Sequence, residues 1–165
     1  MNNCSYIYGG ENMKKTTTIR ISSTFPASRE AVFARLQEFK TLQYVAAPYM
    51  SFSPVSGNEE MVWEPGRSYQ FKIRFFSTIP MGIHTILVKD FSAQDYTIYT
   101  NEKNRMVPIW NHRIELKEQQ QQTAYSDIVE IGAGVLTGIV SWWAKHFYRH
   151  RQKKWLRLLR NQKGD

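Results

Sequence analysis

His112 and Asp127 are the residues of this 165-residue chain whose types and spacing suit proton transfer. They lie in two runs, "IWNHRIELKE" (109–118) and "TAYSDIVEI" (123–131), in which apolar and polar residues alternate as they do along strands. With 118–122 as the connecting loop, an antiparallel hairpin sets His112 opposite Asp127, Ile114 opposite Tyr125 and Trp110 opposite Val129. All six share one face, and Trp110 and Ile114 make that face the inner one. A histidine beside a carboxylate in an apolar site gains proton affinity and can act as a general acid or base. No nucleophile accompanies the pair at a recognisable spacing. The pair is therefore read first as a polar contact that satisfies itself or orients a ligand, and only second as catalytic.

The other reactive residue types offer less. His84 and His146 have no second histidine or carboxylate at ligand spacing on the same face, so no metal and no cofactor are expected. The one cysteine, Cys4, permits neither an intramolecular disulfide nor a cysteine cluster. "GAGVLTG" (132–138) is glycine-rich, but no Lys-Ser or Lys-Thr follows it. It reads as a hinge between a strand and a helix and not as a phosphate loop. Aromatic residues are plentiful, and Tyr44, Tyr49, Trp63, Tyr69, Phe71, Phe75, Trp110, Tyr125, Trp143 and Phe147 are candidates for either core or pocket wall.

These residues need elements to hold them. "TTTIRISSTF" (16–25) alternates as a strand, Pro26 ends it, and Ser28 can cap a helix that carries Ala31, Val32, Leu36 and Phe39. A second short helical or irregular segment ends near Pro48. From there to about residue 131 the period is two. Runs 68–79, 83–91, 95–102, 109–118 and 123–131 read as strands of an antiparallel meander, with shorter pieces at Phe52 and at Val62–Trp63, and "QQQQ" (119–122) as a hairpin loop. The last element is one long helix over about 137–161. Its wheel turns Val140, Trp143, Ala144, Phe147 and Leu158 to one side, with Tyr148 and Trp155 at the edge. Ser141, Lys145, Arg149, Gln152 and Lys153 fall opposite. Arg151 and Lys154 interrupt the apolar stripe and His150 lies at its margin, where long basic chains snorkel or meet a carboxylate or phosphate head group.

Composition sets the bounds. Hydrophobic residues make up 42% and charged residues 22%, which suits one globular domain with a real core. The net charge is +8, yet 1–144 hold fourteen basic against thirteen acidic residues, so the surplus belongs to the last helix. That pattern is expected of a solvated helix face, and it is also the footprint of an anionic partner. No run of 18 apolar residues suggests a membrane span, and the first fifteen residues lack the apolar core of a signal peptide. The chain is expected to be cytoplasmic. Residues 1–15 form a polar arm, whether the natural start is Met1 or Met13, 16–161 form one domain, and 162–165 are a tail.

In this order the elements resemble the START-like superfamily, the helix-grip group of polyketide cyclases and lipid-transfer proteins. The resemblance covers about 16–161 and rests on "FPASREAVFARL", "WEPGRSYQF", "IWNHRIEL", "TAYSDIVEI" and "FYRHRQKKWLRLL". It implies an α+β fold in which a curved antiparallel sheet wraps a long C-terminal helix, with two short helices after the first strand. It further implies a cavity between sheet and helix for a lipid, polyketide or aromatic compound. On that reading Tyr69, Phe71, Phe75, Trp110, His112, Tyr125, Trp143, Phe147 and Arg151 would contact the ligand.

Three functions follow. The first is binding or transport of a hydrophobic small molecule without catalysis. The second is a cyclase, dehydratase or hydrolase using the same cavity through His112 and Asp127. The third is docking of the basic helix on anionic membrane or nucleic acid. Nucleic acid is disfavoured because Trp143 and Phe147 turn away from Lys145 and Arg149, although Trp142 sits on the basic side. The oligomeric state is left open.

Overall fold

The computed structural model describes residues 16–57 and 61–161. The arm at 1–15 with Cys4 and Met13, and the tail at 162–165, lie outside the described residues. Strand β1 (Thr17–Phe25) leads into α1 (Arg29–Leu36) and α2 (Phe39–Ala46). Then come β2 (Met50–Pro54), β3 (Ser68–Phe75), β4 (Ile79–Ser92), β5 (Thr97–Lys103), β6 (Ile109–Gln119), β7 (Gln122–Gly132) and finally α3 (Thr137–Asn161). The seven strands form a sheet in the order β1-β7-β6-β5-β4-β3-β2, with every neighbouring pair antiparallel. Irregular register between Ile73 and Arg74 and between Val88 and Asp90 bends the sheet, as bulges do. This is the α+β helix-grip fold that the sequence implies.

Local chemistry explains the boundaries. Pro26 cannot donate to the ladder, and the Ser28 hydroxyl then accepts from the Ala31 amide at 3.2 Å to start α1. The helix breaks at Gln37–Glu38, so Phe39 opens α2 and does not continue the stripe of α1. The expected strand over 68–79 ends earlier, at Phe75. Phe76 and Ser77 take positive φ values of 48° and 59°, and the chain turns back into β4. Val62–Trp63 is irregular backbone and not strand, whereas Phe52 lies in β2. Gly132 ends β7, and one 3-10 turn, Gly134–Leu136, follows before α3, so 132–138 is the anticipated hinge.

Two expectations need correction. The β6–β7 loop is the two-residue turn Gln120–Gln121, with φ values of 48° and 62°, and not a five-residue loop. Positive φ at both central positions matches the twist of a hairpin, although glutamine is an uncommon residue there. The register consequently moves by two residues, placing His112 opposite Val129, Ile114 opposite Asp127 and Trp110 opposite Ile131. A shift of two preserves the face, so the six residues still point inward together.

The second correction concerns α3, whose 25 residues extend about 38 Å. Its buried stripe runs through Ser141, Ala144, Tyr148, Arg151, Gln152, Trp155 and Leu159. Ser141 and Gln152, expected at the solvent face, are therefore buried, and Tyr148 and Trp155 lie at the centre of the stripe. The cause is cover from two sides: α3 packs on β1 and β7 and also against α2. Lys145, Arg149, Lys153, Arg157 and Arg160 form the exposed basic strip. The core divides into three clusters, around Phe25 and Trp155, around Trp110 and Tyr148, and around Phe39 and Phe71.

Candidate functional site

The three clusters enclose a cavity of about 360 Å³ between the sheet and α3, with lining residues drawn from each of them. Met106, Leu136 and Ile139 both line it and are exposed, at 53%, 46% and 65%. They place its mouth between the β5–β6 connection and the start of α3.

A chain of polar groups crosses the concave face below. Strand alternation turns His84 of β4, Thr100 and Glu102 of β5, His112 of β6, and Tyr125 and Asp127 of β7 inward. His84 Nε2 meets Glu102 Oε2 at 2.8 Å, and the Thr100 hydroxyl donates to Glu102 Oε1 at 2.8 Å. His112 Nδ1 lies 3.8 Å from Glu102 Oε1, while its Nε2 meets Asp127 Oδ1 at 2.8 Å. Because Val129 stands directly opposite His112, this contact is diagonal. Asp127 Oδ1 also accepts from the Tyr125 hydroxyl at 3.0 Å, and Oδ2 accepts from Gln152 Nε2 of α3 at 2.9 Å. Gln152 Nε2 donates as well to the Ile21 carbonyl at 2.9 Å, and its Oε1 accepts from the Ser23 hydroxyl at 2.6 Å. The buried polar chain thus spans four neighbouring strands, β4 to β7, and its last link ties α3 to β1.

The charges on this floor follow from competing effects. Burial alone would push the Glu102 carboxyl up, but hydrogen bonds from His112 and His84 hold it well below the usual carboxylate range. Asp127 is lowered in the same way: burial opposes, and His112, Arg151 and Gln152 prevail. Burial disfavours a charged His112, yet hydrogen bonds to Asp127 and Glu102 raise it above its ordinary value. Burial pushes the Tyr125 and Tyr148 phenols up, so both stay neutral, Tyr125 donating to Asp127 and Tyr148 accepting from Trp110 Nε1. Arg151 is also raised, since Tyr148, Asp127 and the neighbouring acidic groups offset the cost of burying it.

Of the nine residues expected to meet a ligand, Phe75, Trp110, His112, Trp143, Phe147 and Arg151 line the cavity. Tyr69, Phe71 and Tyr125 stand behind the wall. Tyr69 packs on Trp63 and donates to the Val62 carbonyl, Phe71 stacks on Phe39, and Tyr125 lies between Phe25 and Trp155. Of the three basic residues near the helix stripe, only Arg151 reaches the cavity. The Lys154 ammonium sits over the Tyr44 ring at 4.0 Å, and His150 Nε2 bonds the Ala47 carbonyl at 2.8 Å. Sequence reasoning missed Glu102, and it set His84 aside as lacking a carboxylate on its face, whereas the structure pairs it with Glu102. Period two did signal them, since Ile98, Thr100 and Glu102 share one parity, as do His84, Ile86 and Val88. Among the described residues, no group of three or more His, Cys, Asp or Glu side chains is disposed to hold a metal ion, and no helix is long and apolar enough to cross a membrane.

No family model matches the chain, and no curated protein matches it. Solved structures do. Protein CV1439 from Chromobacterium violaceum aligns with a TM-score of 0.67 at 14% identity, covering 87% of this chain and 97% of its own. Ms6760 from Mycobacterium smegmatis aligns with a TM-score of 0.67 at 11% identity, covering 88% and 92%. Ara h 8.0201 aligns with a TM-score of 0.59 at 14% identity, covering 86% and 99%. These likenesses establish the helix-grip fold with its sheet and C-terminal helix.

Proposed function

We propose that the protein binds a hydrophobic small molecule in the cavity between its sheet and α3. The observation that carries this reading is the cavity itself: about 360 Å³ with an exposed apolar mouth, inside a domain of ordinary size. Small-molecule sites span roughly 300–1,000 Å³ and combine apolar walls with a few placed polar groups. Trp110, Trp143, Phe147 and Phe75 supply such walls, and His112, Glu102 and Arg151 supply the polar groups. The helix-grip neighbours support the same reading, because the fold leaves this space between its two layers. The cavity's size favours a compact apolar compound over a long double-chain lipid.

A second reading, an enzyme in the same cavity, is favoured by one feature. His112 faces the cavity while bonded to Asp127 and close to Glu102, which raise the proton affinity of an imidazole placed where a ligand would sit. In that reading His112 is the general acid and Asp127 its orienting partner.

The test is a titration with N-phenyl-1-naphthylamine, an uncharged probe that fluoresces in apolar sites. The native chain is expected to give saturable, blue-shifted emission. Val140 lines the cavity and is half-buried at the edge of the Trp110–Tyr148 cluster, so Val140→Trp should fill cavity space from its rim. It is expected to weaken the probe at least tenfold while the melting temperature changes little. A native chain that shows no saturable signal overturns the proposal.

A further inference from the structure

We infer that the cavity receives its ligand by a monoanionic head group of the carboxylate type, and that Arg151 is the residue that holds it. The inference rests on the proposed cavity binding and names the chemical class of what is bound.

Arg151 is only 7% exposed and lies on the cavity wall. Its Nε is buried and has no hydrogen-bond partner, and no hydrogen bond or ion pair joins the guanidinium to any described residue. Its close neighbours are ring faces, Tyr148 at 5.0 Å and Phe147 at 5.8 Å from the guanidinium carbon. A guanidinium carries five N–H donors in a planar fork, and burying them unmet is costly. Ring faces attract the charge but accept none of those hydrogen bonds in good geometry.

Neither nearby carboxylate supplies the missing acceptor: Asp127 and Glu102 form no hydrogen bond or ion pair with the guanidinium and are turned to other partners. Asp127 Oδ1 accepts from His112 and Tyr125, and Oδ2 accepts from Gln152. Glu102 Oε1 accepts from Thr100, and Oε2 meets His84. Both acids are thus held toward the sheet, and the fork of Arg151 is left to the cavity. A carboxylate matches that fork through two parallel hydrogen bonds.

Charge sets the valence. Glu102 and Asp127, both lowered, carry negative charge and face Arg151 and His112, whose proton affinity their hydrogen bonds raise. His84 from β4, Tyr125 from β7 and Tyr148 from α3 complete the titratable groups of the floor. With two carboxylates fixed on the floor, a dianion would meet more repulsion than a monoanion, and Arg151 is the buried cation without a hydrogen-bond acceptor among the described residues. Entry of a monoanion also favours the protonated imidazole, so affinity should rise as pH falls toward the range where His112 holds its proton.

The test uses three probes of equal chain length, decanoate, decanol and decyl phosphate, titrated calorimetrically into the full chain near neutral pH. Decanoate is expected to bind at least tenfold more tightly than decanol, and more tightly than decyl phosphate. In Arg151→Met, decanoate should lose at least tenfold while decanol changes less than threefold. Decanol binding as well as decanoate, or a preference that survives the substitution, overturns the inference and leaves the cavity reading standing. Tighter binding of decyl phosphate overturns the monoanion. Failure of all three in the native chain overturns both. The comparison in the native chain decides even where the variant does not fold.

Discussion

Asp127→Asn removes a charge from the cavity floor while preserving shape. In the native chain the carboxylate accepts three hydrogen bonds, from His112, Tyr125 and Gln152. An amide brings one acceptor oxygen and one NH₂ group. If the nitrogen takes the place of Oδ2 it faces Gln152 Nε2, itself committed to the Ile21 carbonyl while Gln152 Oε1 accepts from Ser23. If it takes the place of Oδ1 it faces the Tyr125 hydroxyl and His112 Nε2. Either way a buried polar group is left unpaired, at a cost of about 1–3 kcal/mol. Removing one partner of a buried ion pair costs about 3–5 kcal/mol. Glu102 still lies 3.8 Å from His112 Nδ1, and His112 can release its proton, so the expected loss is about 2–4 kcal/mol.

The loss should depend on pH, with a definite sign. His112 is raised above its ordinary 6.5, so its contribution to stability is complete below that value and fades as pH rises through the folded one. Asp127 and Glu102 are lowered from 3.8 and 4.5, so theirs is present above those values and fades as pH falls through the folded ones. The ion cluster therefore contributes most between these limits. Without Asp127 the alkaline decline should shrink, because His112 has lost its main partner. Urea unfolding at about pH 5.5 and about pH 8.5 provides the assay, with the denaturant slope checked for constancy. A larger loss at the lower pH is expected. Equal losses at both, or a loss below about 1 kcal/mol, would refute the assignment of a charged His112 bonded to Asp127.

Two further outcomes follow from backbone geometry. Replacing Gln120–Gln121 with Asn-Gly should raise stability by about 1 kcal/mol, since both positions have positive φ and glutamine adopts it at a cost; urea midpoints give the answer. Ser28→Ala should cost about 1 kcal/mol in the same measurement, through loss of the bond to the Ala31 amide at the start of α1.

How much was legible in the sequence depended on the kind of signal. Strands with one buried face were plain because their period is unambiguous: Tyr69, Phe71 and Ile73 alternate with Gln70, Lys72 and Arg74, and the first three are buried. The limits of α3 were legible for the same reason, with Gly132 before it and an apolar stripe within it. The β6–β7 register was not, because four consecutive glutamines carry no turn signal and the two that turn do so against their preference. The face of α3 was blurred by composition. A wheel centred on the apolar residues turns Gln152 and Ser141 to solvent, yet Gln152 is buried because Asp127, the Ile21 carbonyl and Ser23 bond its amide. A wheel sees only the polarity of a residue, and the satisfaction of a buried amide depends on strands distant in sequence. Glu102 was missed on similar grounds, since a carboxylate reads as surface until the two histidines that hold it are known.

The polar floor and Arg151 come from different layers, and that division has a consequence for recognition. The sheet supplies acids that bond other partners, fixed by strand alternation and cross-strand bonds. The helix supplies a buried cation without a hydrogen-bond partner among the described residues. Position of that cation is set by its two neighbours in the chain. His150 bonds the Ala47 carbonyl at 2.8 Å on one side, and Gln152 bonds the Ile21 carbonyl and Asp127, each at 2.9 Å, on the other. These contacts pin the same turn of α3 to the end of α2, to β1 and to β7, so the backbone of Arg151 is held from both directions. Holding a charged group in place before its partner arrives reduces the ordering cost of binding. A cluster of buried charges is weak support for stability, because well-packed apolar residues of similar volume often serve as well or better. Here it does something that apolar residues cannot. His84, His112, Tyr125 and Gln152 hold the acids away, so no described residue offers the Arg151 guanidinium a hydrogen-bond acceptor beside the apolar space, and that lack is what a carboxylate-bearing ligand would relieve.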